Sequence, residues 1–226
     1  MGIDLFLGLK SVVLLTGYYG CGKTNLAVNL ALDYKKNKET VRIIDLDIVN
    51  PYFRTSDFSD MLGGKGIDVV APGFANSLSD APSLPREISM AIGAKGRTLI
   101  DVGGDDAGAV VVGRYYSDIL RAGGADMCYL FSVYRPGMDS PEETVRHIKT
   151  IETVSRQKVT YLINTSNLAD RTTFEDVQRS LCFADRLSSL AGIPLLATVM
   201  LEGIGDIEGS YSVKRFVRPP WEPRQE

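Results

Sequence analysis

Hydrophobic and polar positions along the chain fall into two alternating kinds of segment. Short apolar, β-branched runs occur at Ser11–Thr16, Val41–Asp45, Ile67–Ala71, Thr98–Val102, Met127–Val133, Val159–Asn164 and Leu195–Met200. They lack clean polar alternation, as expected of strands buried on both faces. Between them lie stretches with helical spacing: Lys23–Lys36, Ala107–Ala122, Ser140–Val154 and Thr173–Leu190. Ser140-Pro141-Glu142-Glu143 has a capping serine, a first-turn proline and a glutamate placed for a capping box. Gly123-Gly124 and Gly192 stand where helix C-termini should fall.

Strands alternating with helices predict an α/β fold: a single three-layer domain with a mostly parallel sheet flanked by helices. Residues 72–92, with Pro72, Pro82 and Pro85, read as an irregular insert holding one short helix. The domain is expected over 1–204 and an irregular C-terminal extension over 205–226, where Pro219, Pro220 and Pro223 forbid a long helix.

The stretch Gly17-Tyr18-Tyr19-Gly20-Cys21-Gly22-Lys23-Thr24 satisfies G-x-x-x-x-G-K-[ST] in full, between a buried strand and a helix. This is the context a P-loop requires. Its glycines let successive backbone N–H groups turn inward around phosphate oxygens, and the helix that follows adds its N-terminal dipole. Lys23 is placed to meet the β- and γ-phosphates and Thr24 to ligate Mg²⁺. Asn25, the next residue, joins the expected nucleotide contacts.

Ligands of an open parallel sheet bind outside the carboxyl ends of its strands. Two acidic clusters fall at such ends. Asp101 follows an apolar run and opens Asp101-Val102-Gly103-Gly104, a Walker B and switch II arrangement in which the acid holds Mg²⁺ and the Gly104 N–H meets the γ-phosphate. In Asp45-Leu46-Asp47, Asp47 is the better candidate to ligate Mg²⁺ and orient the attacking water, and Asp45 reads either as an acid facing a helix or as one that supports the metal ligands from behind. Lys23, Asp47 and Asp101 are thus the expected catalytic set, with Thr24, Asp47 and Asp101 at the metal.

These three phosphate-side motifs resemble the MinD/ParA/Mrp class of ATPases (the SIMIBI class, CbiA-type nucleotide-binding), which is also similar to CooC and the nitrogenase iron protein. The resemblance runs from Val12 to about Leu201. It implies a Mg-dependent ATPase that acts as a nucleotide-driven switch on an unidentified protein client, in cofactor or metalloenzyme maturation by analogy, and it leaves a homodimer open. It also implies that Asn164 contacts adenine, although a strand-end asparagine is equally a turn residue. Asn164-Thr165-Ser166-Asn167 lacks the lysine and aspartate of N-K-x-D, so ATP is expected over GTP.

The chain also departs from that class. ParA and MinD carry a second lysine after the first loop glycine, where this chain has Tyr18; Arg54 is a candidate replacement charge. Tyr18 and Tyr19 are placed to stack over a nucleotide or a partner, or to pack on the flanking strand. Residues 101–126 contain no cysteine, so thiol ligation of a cluster is unsupported. Cys21 is either redox-sensitive at a helix N-terminus or buried, and His147 reads as a packing residue. Two other readings stay open: a small-molecule kinase or ligase, with Arg86 and Arg114 as substrate arginines, and a partition ATPase.

Composition narrows this further. A net charge of -3 over 226 residues argues against a broad nucleic-acid surface. Three cysteines without a CxxC pair argue against a disulfide framework or zinc ribbon. The apolar runs are too short to span a bilayer and the first ten residues lack a basic n-region, so a cytoplasmic protein without membrane contact is expected.

Overall fold

A computed structural model describes residues 2–47, 54–71, 83–104, 106–138 and 140–218; at 83–85, 106 and 107 it describes the backbone alone. Eight parallel strands form one sheet: β1 (Val12–Gly17), β2 (Val41–Leu46), β3 (Asp68–Val70), β4 (Arg97–Val102), β5 (Ala125–Phe131), β6 (Val159–Asn164), β7 (Leu195–Leu201) and β8 (Ser210–Val213). Their order is β3-β2-β4-β1-β5-β6-β7-β8, with β1 in the interior. Strands β1, β2, β4 and β5 are buried along their whole length, which explains why their sequences lack alternation.

The helices are α1 (Asp4–Leu7), α2 (Lys23–Lys36), α3 (Ser59–Gly63), α4 (Ser83–Gly93), α5 (Asp106–Arg114), α6 (Tyr116–Arg121), α7 (Pro141–Ser155) and α8 (Phe174–Ala191). Helix α2 covers β1, β2 and β4, while α5, α7 and α8 pack side by side. The Ser140 hydroxyl accepts the Glu143 N–H at the start of α7, and Gly192 closes α8 in the left-handed conformation. No helix among the described residues is long and apolar enough to cross a membrane.

Three elements differ from the sequence reading. The single helix expected over Ala107–Ala122 is two, α5 and α6. The chain tightens there, with the Tyr115 N–H bonded to the Val112 carbonyl, and a Cβ at Gly113 would lie 2.7 Å from the Val154 carbonyl of α7. Close approach of α5 to α7 thus coincides with the break. Helix α4 is the helix expected in the insert, longer than a short one at 11 residues; residues 72–82 of the insert and the tail from Pro219, which includes Pro223, lie outside the described residues.

The third difference is β8, inside the extension expected to be irregular. It adds to the sheet edge beside β7. Tyr211 secures it: the side chain is buried, stacks edge-on against Phe6 at 5.0 Å and donates its hydroxyl to Asp33 Oδ2 at 2.8 Å.

Candidate functional site

Strand β1 ends at Gly17, whose φ of +136° is open only to glycine, and a Cβ there would stand 2.1 Å from the Leu130 carbonyl of β5. The chain then turns through residues 18–22 and enters α2 at Lys23. Gly22 sits at φ +82° and no side chain caps the helix, so its first-turn N–H groups have no side-chain acceptor. An uncapped helix start below a glycine turn is an anion site.

Lys23 is almost fully buried, 6% exposed, and its ammonium donates to the carbonyls of Gly17 and Tyr18, both at 3.1 Å. Gly104 closes over it. A Cβ at Gly104 would lie 2.9 Å from Lys23 Nζ and 2.8 Å from the Tyr19 nitrogen, so the turn after β4 touches the loop through bare backbone.

Asp101 stands next to this. The hydroxyls of Thr24 and Thr55 both donate to its Oδ2, at 2.7 and 2.8 Å. Its Oδ1 is buried without a hydrogen-bond partner. The side chain is wholly buried, and burial first, then the neighbouring Asp45 charge, pushes its carboxyl up to about 7. Asp45 is its register partner on β2. The Asp45 carboxylate accepts the N–H of Asp47 and of Ser56, both at 3.1 Å, which fixes the 3-10 turn Thr55–Phe58 that carries Thr55.

Two hydroxyls and a carboxylate with a spare oxygen make a hard-oxygen set suited to Mg²⁺. No group of three or more His, Cys, Asp or Glu side chains able to hold a metal occurs among the described residues. A cation at Asp101 would therefore be completed by hydroxyl, water and phosphate oxygens. Burial of an acid whose unpaired oxygen faces no donor is otherwise costly.

A cleft of about 430 Å³ runs from the loop along the ends of β5 to β8. Tyr19, Gly20, Cys21, Gly22, Lys23, Thr24, Asn25 and Asp47 all line it. Its far end is made by Thr165, Asn167 and Ala169 after β6, and by Val199, Leu201, Val213, Arg215 and Val217. Segment 214–217 is strapped to α2. The Asn25 carboxamide donates to the Lys214 carbonyl and accepts the N–H of Phe216 and Val217, while Asn29 exchanges bonds with Lys214 in both directions.

Several expected residues lie elsewhere. Asn164 is fully buried; it donates to Ser180 Oγ at 2.7 Å and accepts the Ser166 N–H, so its amide is spent inside the fold and does not reach the cleft. Tyr18 is not among the residues that line the cleft. Its ring abuts Gly137 and sits edge-on to His147 at 5.5 Å, and His147 in turn meets the Tyr129 hydroxyl at 2.6 Å. Cys21 points into the core toward Met138, and burial pushes its thiol up to about 11, away from thiolate chemistry. Arg54 precedes the 3-10 turn and does not line the cleft; Asn50–Phe53 and Asp105 lie outside the described residues.

The sequence reading missed Thr55, Arg135, Asn167 and the 214–217 strap. Only Thr55 left a local trace, a hydroxyl-bearing pair Thr55-Ser56 shortly after the second acidic strand end.

A parallel sheet with a glycine loop between β1 and α2, and a buried acid ending the neighbouring strand, defines the P-loop NTPase fold. Comparison with solved structures agrees. FtsY from Mycoplasma mycoides matches over 90% of this chain and 63% of its own, with a TM-score of 0.58 and 18% identity. Cell division protein FtsY from Thermotoga maritima matches over 85% and 63%, at 0.59 and 15%. The 54 kDa signal recognition particle protein from Aeropyrum pernix K1, in complex with GDP, matches over 85% and 42%, at 0.54 and 12%. The chain thus spans less than two thirds of each of these three, and at such identities the likeness is one of fold; it does not separately support the MinD/ParA/Mrp affiliation. No family model matches the chain, and no curated protein matches it in sequence.

Proposed function

We propose that this chain binds a magnesium nucleoside triphosphate, ATP in preference to GTP, hydrolyses it, and uses the cycle to change its affinity for a protein client. One observation carries the reading: hydroxyls from the phosphate loop and from the turn after β2 converge on one oxygen of Asp101, whose other oxygen is orphaned in the interior.

In this reading the amides of residues 20–24 cradle the phosphates and Lys23 leaves its two carbonyl acceptors for a phosphate oxygen. Thr24, Thr55 and Asp101 would hold Mg²⁺, which when bound neutralises charge on the β- and γ-phosphates. Asp47, on the cleft wall at the end of β2, orients the attacking water. Asp45 positions Thr55 through the Ser56 amide. Loss of the γ-phosphate removes a ligand from the Thr55 turn, and release of that turn is the signal to the client.

The base preference rests on the far end of the cleft. A guanine site requires an acceptor for its N1 and N2 protons, ordinarily a carboxylate. Among the described residues lining the β6–β8 end none is Asp or Glu, and the Asn167 carboxamide is engaged by Thr165 and Ala169 within its own loop.

Calorimetry with ATP and GTP, with and without Mg²⁺, tests the reading, followed by phosphate release from wild type and Thr55→Ala. Magnesium-dependent ATP binding, and a variant that binds but hydrolyses at least tenfold more slowly, are expected. Absence of heat with both triphosphates would overturn it.

A further inference from the structure

The phosphate loop has a second cation beside it that its sequence motif does not include. Arg135 lies between β5 and α7 and lines the same cleft as residues 19–25. Its Nε and Cζ each come within 3.4 Å of the point where a Cβ on Gly20 would stand. Its charge also reaches the Cys21 thiol on the next residue. Among the described residues no acceptor or carboxylate engages this guanidinium, whereas Arg97 is paired with Glu39 and Arg215 with Asp170. A rigid fork of five N–H donors is therefore presented at the loop, and such a fork matches phosphate geometry.

The position is held from both sides. The Tyr18 ring fills the space over Gly137, where a Cβ would approach the ring within 2.7 Å. Cys21 Sγ meets Met138 Sδ at 3.6 Å, and the Val133 N–H donates to Ser166 Oγ at 3.1 Å. Two residues of the phosphate loop thus anchor the segment that carries Arg135. The tyrosine at 18 is thus part of what keeps Arg135 at the loop.

We infer that Arg135 is a phosphate-binding residue, supplied in cis at the rim of the cradle, above the buried Lys23. The inference rests on reading this cleft as a nucleoside triphosphate site. Because Arg135 is exposed, its alanine variant should fold, and water tempers its contribution.

Calorimetry with ATP and Mg²⁺ on wild type, Arg135→Ala and Arg135→Lys, repeated with adenosine, tests it. Arg135→Ala should bind ATP roughly tenfold more weakly, the low end for a charge-assisted hydrogen bond. Arg135→Lys should recover part of that loss, and adenosine affinity should not change. Unchanged ATP affinity in Arg135→Ala, or an equal loss toward adenosine, overturns the inference while the nucleotide reading stands. Failure of wild type to bind ATP at all overturns both.

Discussion

Asp45 and Asp101 are register partners on adjacent parallel strands, both buried, and burial, then the negative charge of the first, raises the carboxyl of the second. Each has a different occupation. Asp45 is satisfied by two backbone amides, whereas Asp101 takes two hydroxyls on one oxygen and nothing on the other. One carboxylate holds a turn in place and its neighbour keeps a buried oxygen without a hydrogen-bond partner.

Metal binding should therefore release a proton. With its carboxyl near 7, Asp101 is protonated in a large share of metal-free molecules at neutral pH, and a cation requires the ionised form. Affinity for the magnesium nucleotide is expected to fall by about tenfold per pH unit below 7 and to level off above 8. Calorimetry in buffers of different ionisation enthalpy counts the protons. Asp101→Asn supplies the control, because the nucleotide's own titration persists there and any dependence that also persists does not come from Asp101.

The same residue should trade stability for function. Its folded carboxyl lies above its unfolded one, so its contribution to stability is full at acid pH and is lost as pH rises through 7. Asp101→Asn removes that penalty. The ligand-free variant is expected to be more stable than wild type by about 1–3 kcal/mol at pH 8, with the gain shrinking toward pH 4. Phosphate release should drop by a factor of about a hundred or more. Urea denaturation at the two pH values and a phosphate assay check both halves; a variant less stable at pH 8 contradicts the argument.

Gly104 allows no side chain. A methyl group would press into the Tyr19 backbone at 2.8 Å and the Lys23 ammonium at 2.9 Å. The lysine tip can shift but the backbone cannot, so Gly104→Ala should push switch II away from the phosphate loop. Triphosphate affinity is expected to fall by about tenfold or more while the diphosphate is little affected. Equal losses for both nucleotides would show that the loop itself had been distorted.

Much of this architecture was legible where a local pattern and a local function coincide. Lys23–Lys36 was bounded as observed because the motif ends where helical periodicity begins. Asp101 was recognisable from an apolar run ending in an acid. Asn164 misled because a strand-end asparagine looks the same whether it faces a ligand or a serine on the next helix; here Ser180 takes it. Arg135, Thr55 and β8 were hidden for one reason: each is defined by a contact far away in sequence. The four residues Ser210–Val213 have too little periodicity to announce a strand, and they pair only because β7 offers an edge.

Asn29 should prove necessary to hold the 214–217 strap beside the cleft. Its carboxamide donates to the Lys214 carbonyl at 2.9 Å and to the Asn25 carbonyl at 2.7 Å, and accepts the Lys214 N–H at 2.8 Å, in a nearly dry setting. Phe216 then reaches Phe58, on the turn that carries Thr55, at 6.5 Å. Asn29→Ala leaves the Lys214 N–H without its acceptor and deprives its carbonyl of one of two donors, which should cost about 1–3 kcal/mol. Since Val213, Arg215 and Val217 line the cleft, nucleotide affinity should fall as well. Trypsin offers a direct reading: cleavage after Lys214 and Arg215 should accelerate in the variant, and saturating nucleotide should slow it in wild type. Unaltered cleavage in Asn29→Ala would mean that the Asn25 contacts suffice to hold the strap.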